Sequence, residues 1–233
     1  TIYGSILETN TFISDEKTSK IGRQSRNLIQ ADYVLPITKD LQFEAGYRGS
    51  FATTLTDFQI IPNSDYNNLL EYVENINALY FQYGNKYNKF SYFLGLRWED
   101  TDIEINSLNI NNYNTKKYNN FFPTATLNYE FDEKSSFTLS YSKRINRPRG
   151  RFINPFSSYS SNVNLFQGNP DLDPTYTNVI EIGYLKRWSK LTLNSSIYTN
   201  LTDQSFQFIR RETGNFVENV PVIVSTPINL SKE

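Results

Sequence analysis

Cysteine, histidine and methionine are all absent from the 233 residues. Without cysteine there is no disulfide framework and no thiolate metal site. Without histidine the usual general base and the commonest zinc ligand are missing, so Ser-His-Asp and zinc arrangements are excluded. No Gly-rich loop that would cradle a phosphate precedes a helix. Among the 24 acidic residues nothing sets a carboxylate pair apart in an apolar pocket, as general acid–base work requires. The sequence therefore reads as a protein that is not an enzyme and carries no cofactor. A net charge of −1 gives no support for a nucleic-acid partner. No apolar run approaches the roughly 18 residues that suggest a membrane-spanning helix. A strand meets lipid only at every second residue, so that absence leaves a membrane β-barrel open. The chain begins at Thr1 with no signal peptide, and we expect an internal piece of a longer processed protein.

Aromatic residues are what the chain has in quantity. Hydrophobic content is only 38%, yet 17 Tyr, 17 Phe and 2 Trp make up 15% of the residues. A barrel uses such rings on its lipid face and in girdles at the two membrane interfaces. The residues alternate accordingly. Leu41, Phe43, Ala45, Tyr47, Gly49 and Phe51 oppose Gln42, Glu44, Gly46, Arg48 and Ser50. Phe90, Tyr92, Leu94, Leu96 and Trp98 oppose Ser91, Gly95, Arg97 and Glu99. Phe121, Pro123, Ala125, Leu127, Tyr129 and Phe131 oppose Phe122, Thr124, Thr126, Asn128 and Glu130, and the turn Asp132–Ser135 leads to Phe137, Leu139 and Tyr141.

Short turns are expected near 37–40, 85–89, 132–135 and 188–190, alternating with longer connections near 14–22, 61–70, 106–117 and 148–176. Strands are expected over Asn178–Trp188 and Leu191–Arg211; Thr213-Gly214-Asn215 is expected to turn a projecting hairpin, with Phe216–Leu230 extended after it. Short turns on the periplasmic side and long loops outside are the pattern of outer-membrane barrels. The fold expected is all-β: an antiparallel transmembrane β-barrel fragment of about ten consecutive strands.

Three pieces form a series: Tyr141-Ser142-Lys143-Arg144-Ile145-Asn146-Arg147-Pro148, Asn154-Pro155-Phe156, and Gln167-Gly168-Asn169-Pro170-Asp171-Leu172-Asp173-Pro174. With Thr177-Asn178 and Glu181-x-Gly183-Tyr184 after them, they resemble the barrel of the TonB-dependent receptor family in the version common in Bacteroidota. The motif-bearing region covers about residues 117–200; the rest agrees in alternation and loop order only. The resemblance implies a closed barrel of about 22 strands with an N-terminal plug in its lumen. On that reading residues 1–233 are a partial barrel, lacking the plug domain and the C-terminal closing strands. Arg144, Arg147, Pro148, Asn154, Pro155, Phe156, Gly168, Asn169, Pro170, Leu172 and Pro174 are the residues that match the family motif.

Arg144, Arg147, Arg149 and Arg151 stand at the mouth of the longest loop. They suit either an anion-attracting rim for a carboxylate or phosphate, since Arg binds such groups bidentately, or ion pairs with lumen carboxylates that hold the loop. The family motif favours the ion pairs for Arg144 and Arg147. Arg147, Arg149, Arg151, Asn154, Phe156, Tyr159 and Asn169 are the candidate ligand-binding residues. Asn154 and Asn169 equally suit turns, and Phe152, Phe156, Tyr159 and Phe166 equally suit a small loop core. Asp100, Asp102 and Glu104 follow Trp98 on one face; a divalent cation bridging to lipopolysaccharide and a solvated strand extension are the two readings, and no metal site is assigned.

The function expected is that of an outer-membrane receptor and transporter for a scarce nutrient of the siderophore-iron, oligosaccharide or peptide class. The resemblance implies energisation by a TonB complex acting through the plug, with lipid and lipopolysaccharide around the barrel and a surface lipoprotein as a compatible partner. A passive porin or an adhesive or structural barrel is the alternative. A soluble secreted glycan-binding β-sheet protein is the third, and it requires the aromatic stripes to be buried against a second sheet.

Overall fold

The computed structural model describes residues 2–6, 12–61, 67–109, 111–148, 150–161 and 163–230. The strands are β1 (Ile2–Ile6), β2 (Phe12–Pro36), β3 (Leu41–Ile61), β4 (Asn68–Tyr87), β5 (Phe90–Ser107), β6 (Asn112–Asp132), β7 (Ser135–Asn146), β8 (Ser157–Ser161), β9 (Asn164–Gln167), β10 (Thr175–Arg187), β11 (Thr192–Asp203), β12 (Phe206–Val217) and β13 (Val220–Asn229). One 3-10 turn, Gly150–Phe152, lies between β7 and β8. Nine strands form one sheet in the order β1-β2-β3-β4-β5-β6-β7-β10-β11, and four form a second in the order β12-β13-β9-β8.

Every neighbouring pair in the large sheet is antiparallel, and the register aligns the apolar positions into rows. Leu79, Trp98 and Phe121 form one row; Phe81, Leu96 and Pro123 the next; Leu127, Leu139, Ile182 and Ile197 another, nearer the short turns. These side chains are exposed rather than packed: Phe81 by 52%, Leu94 by 48% and Leu127 by 50%. A contiguous exposed apolar face of this size is a lipid face. Among the described residues no second sheet covers the stripes, as the soluble reading requires.

Along β5 the belt runs from Phe90 to Trp98, nine residues by the strand's own numbering, which matches the roughly 9–11 needed to cross a bilayer. At the short-turn end the belt is rimmed by rings: Phe90 and Tyr129 have centroids 4.6 Å apart, and Tyr129 meets Phe131 edge-on at 4.9 Å. The opposite face is polar, and Thr138 donates to Asn128 across it at 3.0 Å.

The wall is uneven in height. Strands β2 to β6 run for 25, 21, 20, 18 and 21 residues, whereas β7, β10 and β11 have 12, 13 and 12. The tall strands continue past the belt at the long-loop end, and there their inner positions become buried: Leu70, Tyr72, Ile103 and Ile105 form a core with Ile153 of the long loop. The short strands end at the belt, and the segments that follow them lean onto the tall wall.

Several boundaries differ from the sequence reading. Asp15 and Glu16 lie within β2, paired to β1, so the 14–22 segment is strand and the connection falls at 7–11, outside the described residues. The Asn-rich stretch read as a loop through Lys117 is mostly β6, which pairs with β5 from Asn112 onward. The strand expected over Leu191–Arg211 breaks after Asp203, where Gln204 has φ 57°. The hairpin that follows turns at Glu218-Asn219, not at Thr213-Gly214-Asn215, which forms a register irregularity in β12. The long connection holds strands of its own, β8 and β9.

Candidate functional site

The long loop between β7 and β10 is built from the motif residues outward. Gly168 packs so closely that a Cβ there would meet the backbone carbonyl oxygen of Arg151 and lie 2.5 Å from that of Asn154; only glycine fits. Asn169 donates its backbone N–H to the Phe152 carbonyl at 2.7 Å, accepts from the Asp171 N–H at 2.9 Å and donates from its side-chain amide to the Pro227 carbonyl at 3.3 Å. Asn154 accepts from the Phe156 N–H at 3.0 Å and donates to the Asn68 side-chain oxygen at 3.1 Å. Each Asn thus closes an Asx turn and ties it to a distant strand.

Leu172 and Ile153 are the loop's apolar anchors, 1% and 2% exposed. With Pro148, Pro170 and Pro174 they press on Tyr72, Ile103, Ile105 and Tyr118, leaving a gap of only about 10 Å³. Burying each of the two side chains stabilises the docked loop by about 1.5–3 kcal/mol. β6 pairs with β7 only as far as Thr124. Above that point the GNP segment serves its open edge instead: Lys116 donates to the Leu172 carbonyl at 2.6 Å and pairs with Asp173 at 3.2 Å.

Arg147 enters at the root of the loop. One terminal nitrogen meets a Glu99 carboxylate oxygen at 2.5 Å and donates to the Thr101 hydroxyl at 3.1 Å, while Nε donates to the Tyr118 hydroxyl at 3.0 Å. The other Glu99 oxygen accepts from Arg97 Nε at 2.6 Å. Glu99 stands just above the belt. Burial alone would raise its carboxyl, but the hydrogen bonds from Arg147 and Arg97 outweigh it and hold the group below the ordinary carboxylate range. Burial pushes the Tyr118 phenol up to about 12, against the opposing pull of Arg147.

The arginines of the motif stand in separate environments. Arg147 is buried in its ion pair. Arg151 is exposed, with its guanidinium 4.7 Å from the Phe166 ring centroid and 5.6 Å from that of Phe152. Arg144 is exposed on the inner face of the sheet and makes no ion pair among the described residues, unlike the pairing its motif position favours. Arg149 lies outside the described residues. Tyr159 is in β8, opposite Leu165 of β9. Phe152 and Phe166 form an aromatic cluster with Phe208 of β12, centroids 5.9–6.3 Å apart. That cluster, the parallel pairing of β9 with β13 and the Asn169–Pro227 contact join the two loops into one body.

On the outer face Asp102 pairs with Lys117 at 2.7 Å and Glu104 hydrogen-bonds Tyr113. Among the described residues no group of three or more acidic side chains is placed to hold a metal ion.

Glu99, Arg97, Tyr118 and Asn68 are site residues that the sequence reading did not single out. The signal for Glu99 was its place beside Trp98 on the lumen parity, at the level where the long loops begin.

Comparison with known proteins gives the relationship. Solved structures with the same architecture include the ferric citrate transporter FecA (TM-score 0.63, 13% identity, 97% of this chain and 33% of that one). The copper transporter OprC matches with TM-score 0.66 at 11% identity over 92% of this chain and 34% of that one. The alcaligin receptor FauA of Bordetella pertussis matches with TM-score 0.57 at 16% identity over 91% and 35%. At such identities the likeness is one of fold, and this chain spans about a third of each. No curated protein sequence matches. A family model for the outer membrane protein beta-barrel family matches residues 3–233, and the chain belongs to that family.

Proposed function

We propose that this chain is part of an outer-membrane receptor that captures a scarce small nutrient at the cell surface and passes it inward through the barrel lumen. The observation that carries the reading is the long loop, folded inward and fastened to the inner wall by the buried Arg147–Glu99 pair. A receptor needs folded loops to hold its ligand, and this loop is folded and anchored. The rest of the barrel, to about 22 strands by the family resemblance, lies in further strands of the same protein, because lipid does not tolerate the unpaired edges of a nine-stranded open sheet. A plug in the lumen, coupled to an inner-membrane TonB complex, supplies the energised step; a surface lipoprotein is a compatible partner for ligand capture. Siderophore-iron, oligosaccharides and peptides are the nutrient classes to screen, with Arg149, Arg151, Phe156 and Tyr159 as the candidate contacts to mutate and with Arg147, Asn154 and Asn169 acting on the ligand through the loop they hold.

The test is uptake by cells expressing the full-length protein, with TonB present and depleted. Uptake that stops on depletion is the expected result. Uptake that continues by simple diffusion would assign a passive porin instead.

A further inference from the structure

Directly below the Arg147–Glu99 pair, the inner face holds a basin of about 440 Å³. Its lining places Arg48, Arg97 and Arg144 of the inner parity against one carboxylate, Glu99, with Lys143, of the other parity, at its edge. Glu99 is already held on both sides, by Arg97 and Arg147. Lys143 is drawn over the Tyr176 ring at 5.2 Å. Asp32 shares a row with Tyr80 and Arg97, and it accepts from the Tyr80 hydroxyl and from Gln30. Arg48 and Arg144 remain: both are exposed, and neither makes a hydrogen bond or ion pair with another described residue.

The sheet register sets where they stand. Arg97 pairs with Phe122 across β5 and β6, and Phe122 is buried; Arg144 stands on β7 two residues beyond Ser142, the last β7 partner of β6, and Arg48 lies one step toward the loops on β3. Guanidinium groups present planar donors in a fork that matches carboxylate and phosphate oxygens. Here they flank an apolar floor, in a wall where each carboxylate named above is already engaged.

We propose that this basin is an oxyanion site, at which Arg48 and Arg144 present their guanidinium donors to carboxylate or phosphate oxygens. It deepens the receptor reading by naming a chemical class of ligand, and it rests on that reading only for the ligand's source. The oxyanion comes either from a free small molecule or from a segment of the same protein lying in the lumen.

The test uses the full-length protein purified in a neutral detergent, with inorganic pyrophosphate as the probe in a calorimetric titration. Arg48→Ala and Arg144→Ala are each compared with wild type and with Lys39→Ala, which lies at a short turn remote from the basin. Weakening by about tenfold or more in both basin variants, with Lys39→Ala unchanged, assigns the site to a free ligand. Unchanged pyrophosphate binding with a lowered melting temperature in the two basin variants alone assigns it to an internal carboxylate. If both variants leave binding and melting temperature as in wild type, the basin is not an oxyanion site. None of these readouts depends on energised uptake, so a passive barrel would leave them intact.

Discussion

Arg147 and Glu99, 48 residues apart in the chain, meet at 2.5 Å with side chains only 8% and 10% exposed. The pair joins the root of the motif-bearing loop to β5 at the level where the lipid belt ends. Burying two charges is costly unless the geometry satisfies both, and here Thr101 and Tyr118 accept further hydrogen bonds from Arg147 while Arg97 donates to the second Glu99 oxygen.

Removing one partner is therefore expected to hurt more than removing both. Arg147→Ala leaves Glu99 buried with Arg97 alone, and a loss of about 3 kcal/mol is expected. The double variant Arg147→Met with Glu99→Leu should recover most of it. Protease protection of the 147–174 loop in the full-length protein reads both.

Acid should release the loop late. Because the folded Glu99 carboxyl lies below its ordinary value of 4.5, its contribution is fully present above that value and is lost as pH falls through the lower folded value. Loop protection is expected to hold from neutral pH down to that range and to fall below it. In Glu99→Gln this acid-dependent step should be gone.

Asp132 behaves in the same sense at the opposite end of the wall. The backbone N–H of Lys134 is the main cause that draws its carboxyl down to about 2, with Ser135 and Lys186 adding to it. The turn between β6 and β7 should keep its order as pH falls past 3.8 and lose it only toward about 2; amide exchange at Lys134 follows the transition.

Loop packing gives a third class of variant. Leu172→Ala should destabilise the docked loop by about 2–5 kcal/mol through the cavity it leaves. Gly168→Ala should displace the loop outright, since its Cβ has only backbone to meet. Exposure of the loop to protease, with the barrel still resistant to detergent unfolding, is the outcome that separates loop release from global loss of fold.

The two loops should behave as one body. Leu165 and Val224 are partners in the parallel pairing of β9 with β13, at a strand spacing of about 4.8 Å that suits a disulfide. The sequence has no cysteine of its own, so Leu165→Cys with Val224→Cys should form a single bond under mild oxidation. Free-thiol titration detects it; two persistent thiols would show that the loops are independent.

The membrane part of this architecture was legible because lipid enforces a strict period of two: Phe90 to Trp98 and Phe121 to Phe131 read as strands without ambiguity. Above the belt that pressure ends. Just above it Glu99 and Thr101 on one side and Asp100 and Asp102 on the other are all polar, and the apolar residues farther up, such as Ile103 and Ile105, lie on the inner face. The Asn112–Lys117 stretch, rich in Asn and Lys, looked like a loop although it is held by pairing with β5. Thr213-Gly214-Asn215 carries the composition of a turn, but Gly214 uses its φ of 83° at an irregularity in β12, and Glu218 and Asn219 supply the two positive φ values of the hairpin turn. The Asn-Pro-Phe and Gly-Asn-Pro pieces were readable as turns from composition. Their tie points, Asn68 and Pro227, lie 86 and 58 residues from Asn154 and Asn169, and Glu99 lies 48 from Arg147, distances no local pattern spans.

The most direct test of this account is cysteine labelling of intact cells, read against the full-length protein without an introduced cysteine; residues 1–233 contribute no thiol of their own. Single cysteines are placed in the full-length protein at Asn219, in the β12–β13 turn, and at Glu133, in the β6–β7 turn. A membrane-impermeant maleimide should label Asn219→Cys on intact cells and Glu133→Cys only after the outer membrane is opened. Equal labelling of both on intact cells, or labelling of Glu133→Cys alone, would contradict an outer-membrane wall with the docked loop at the cell surface.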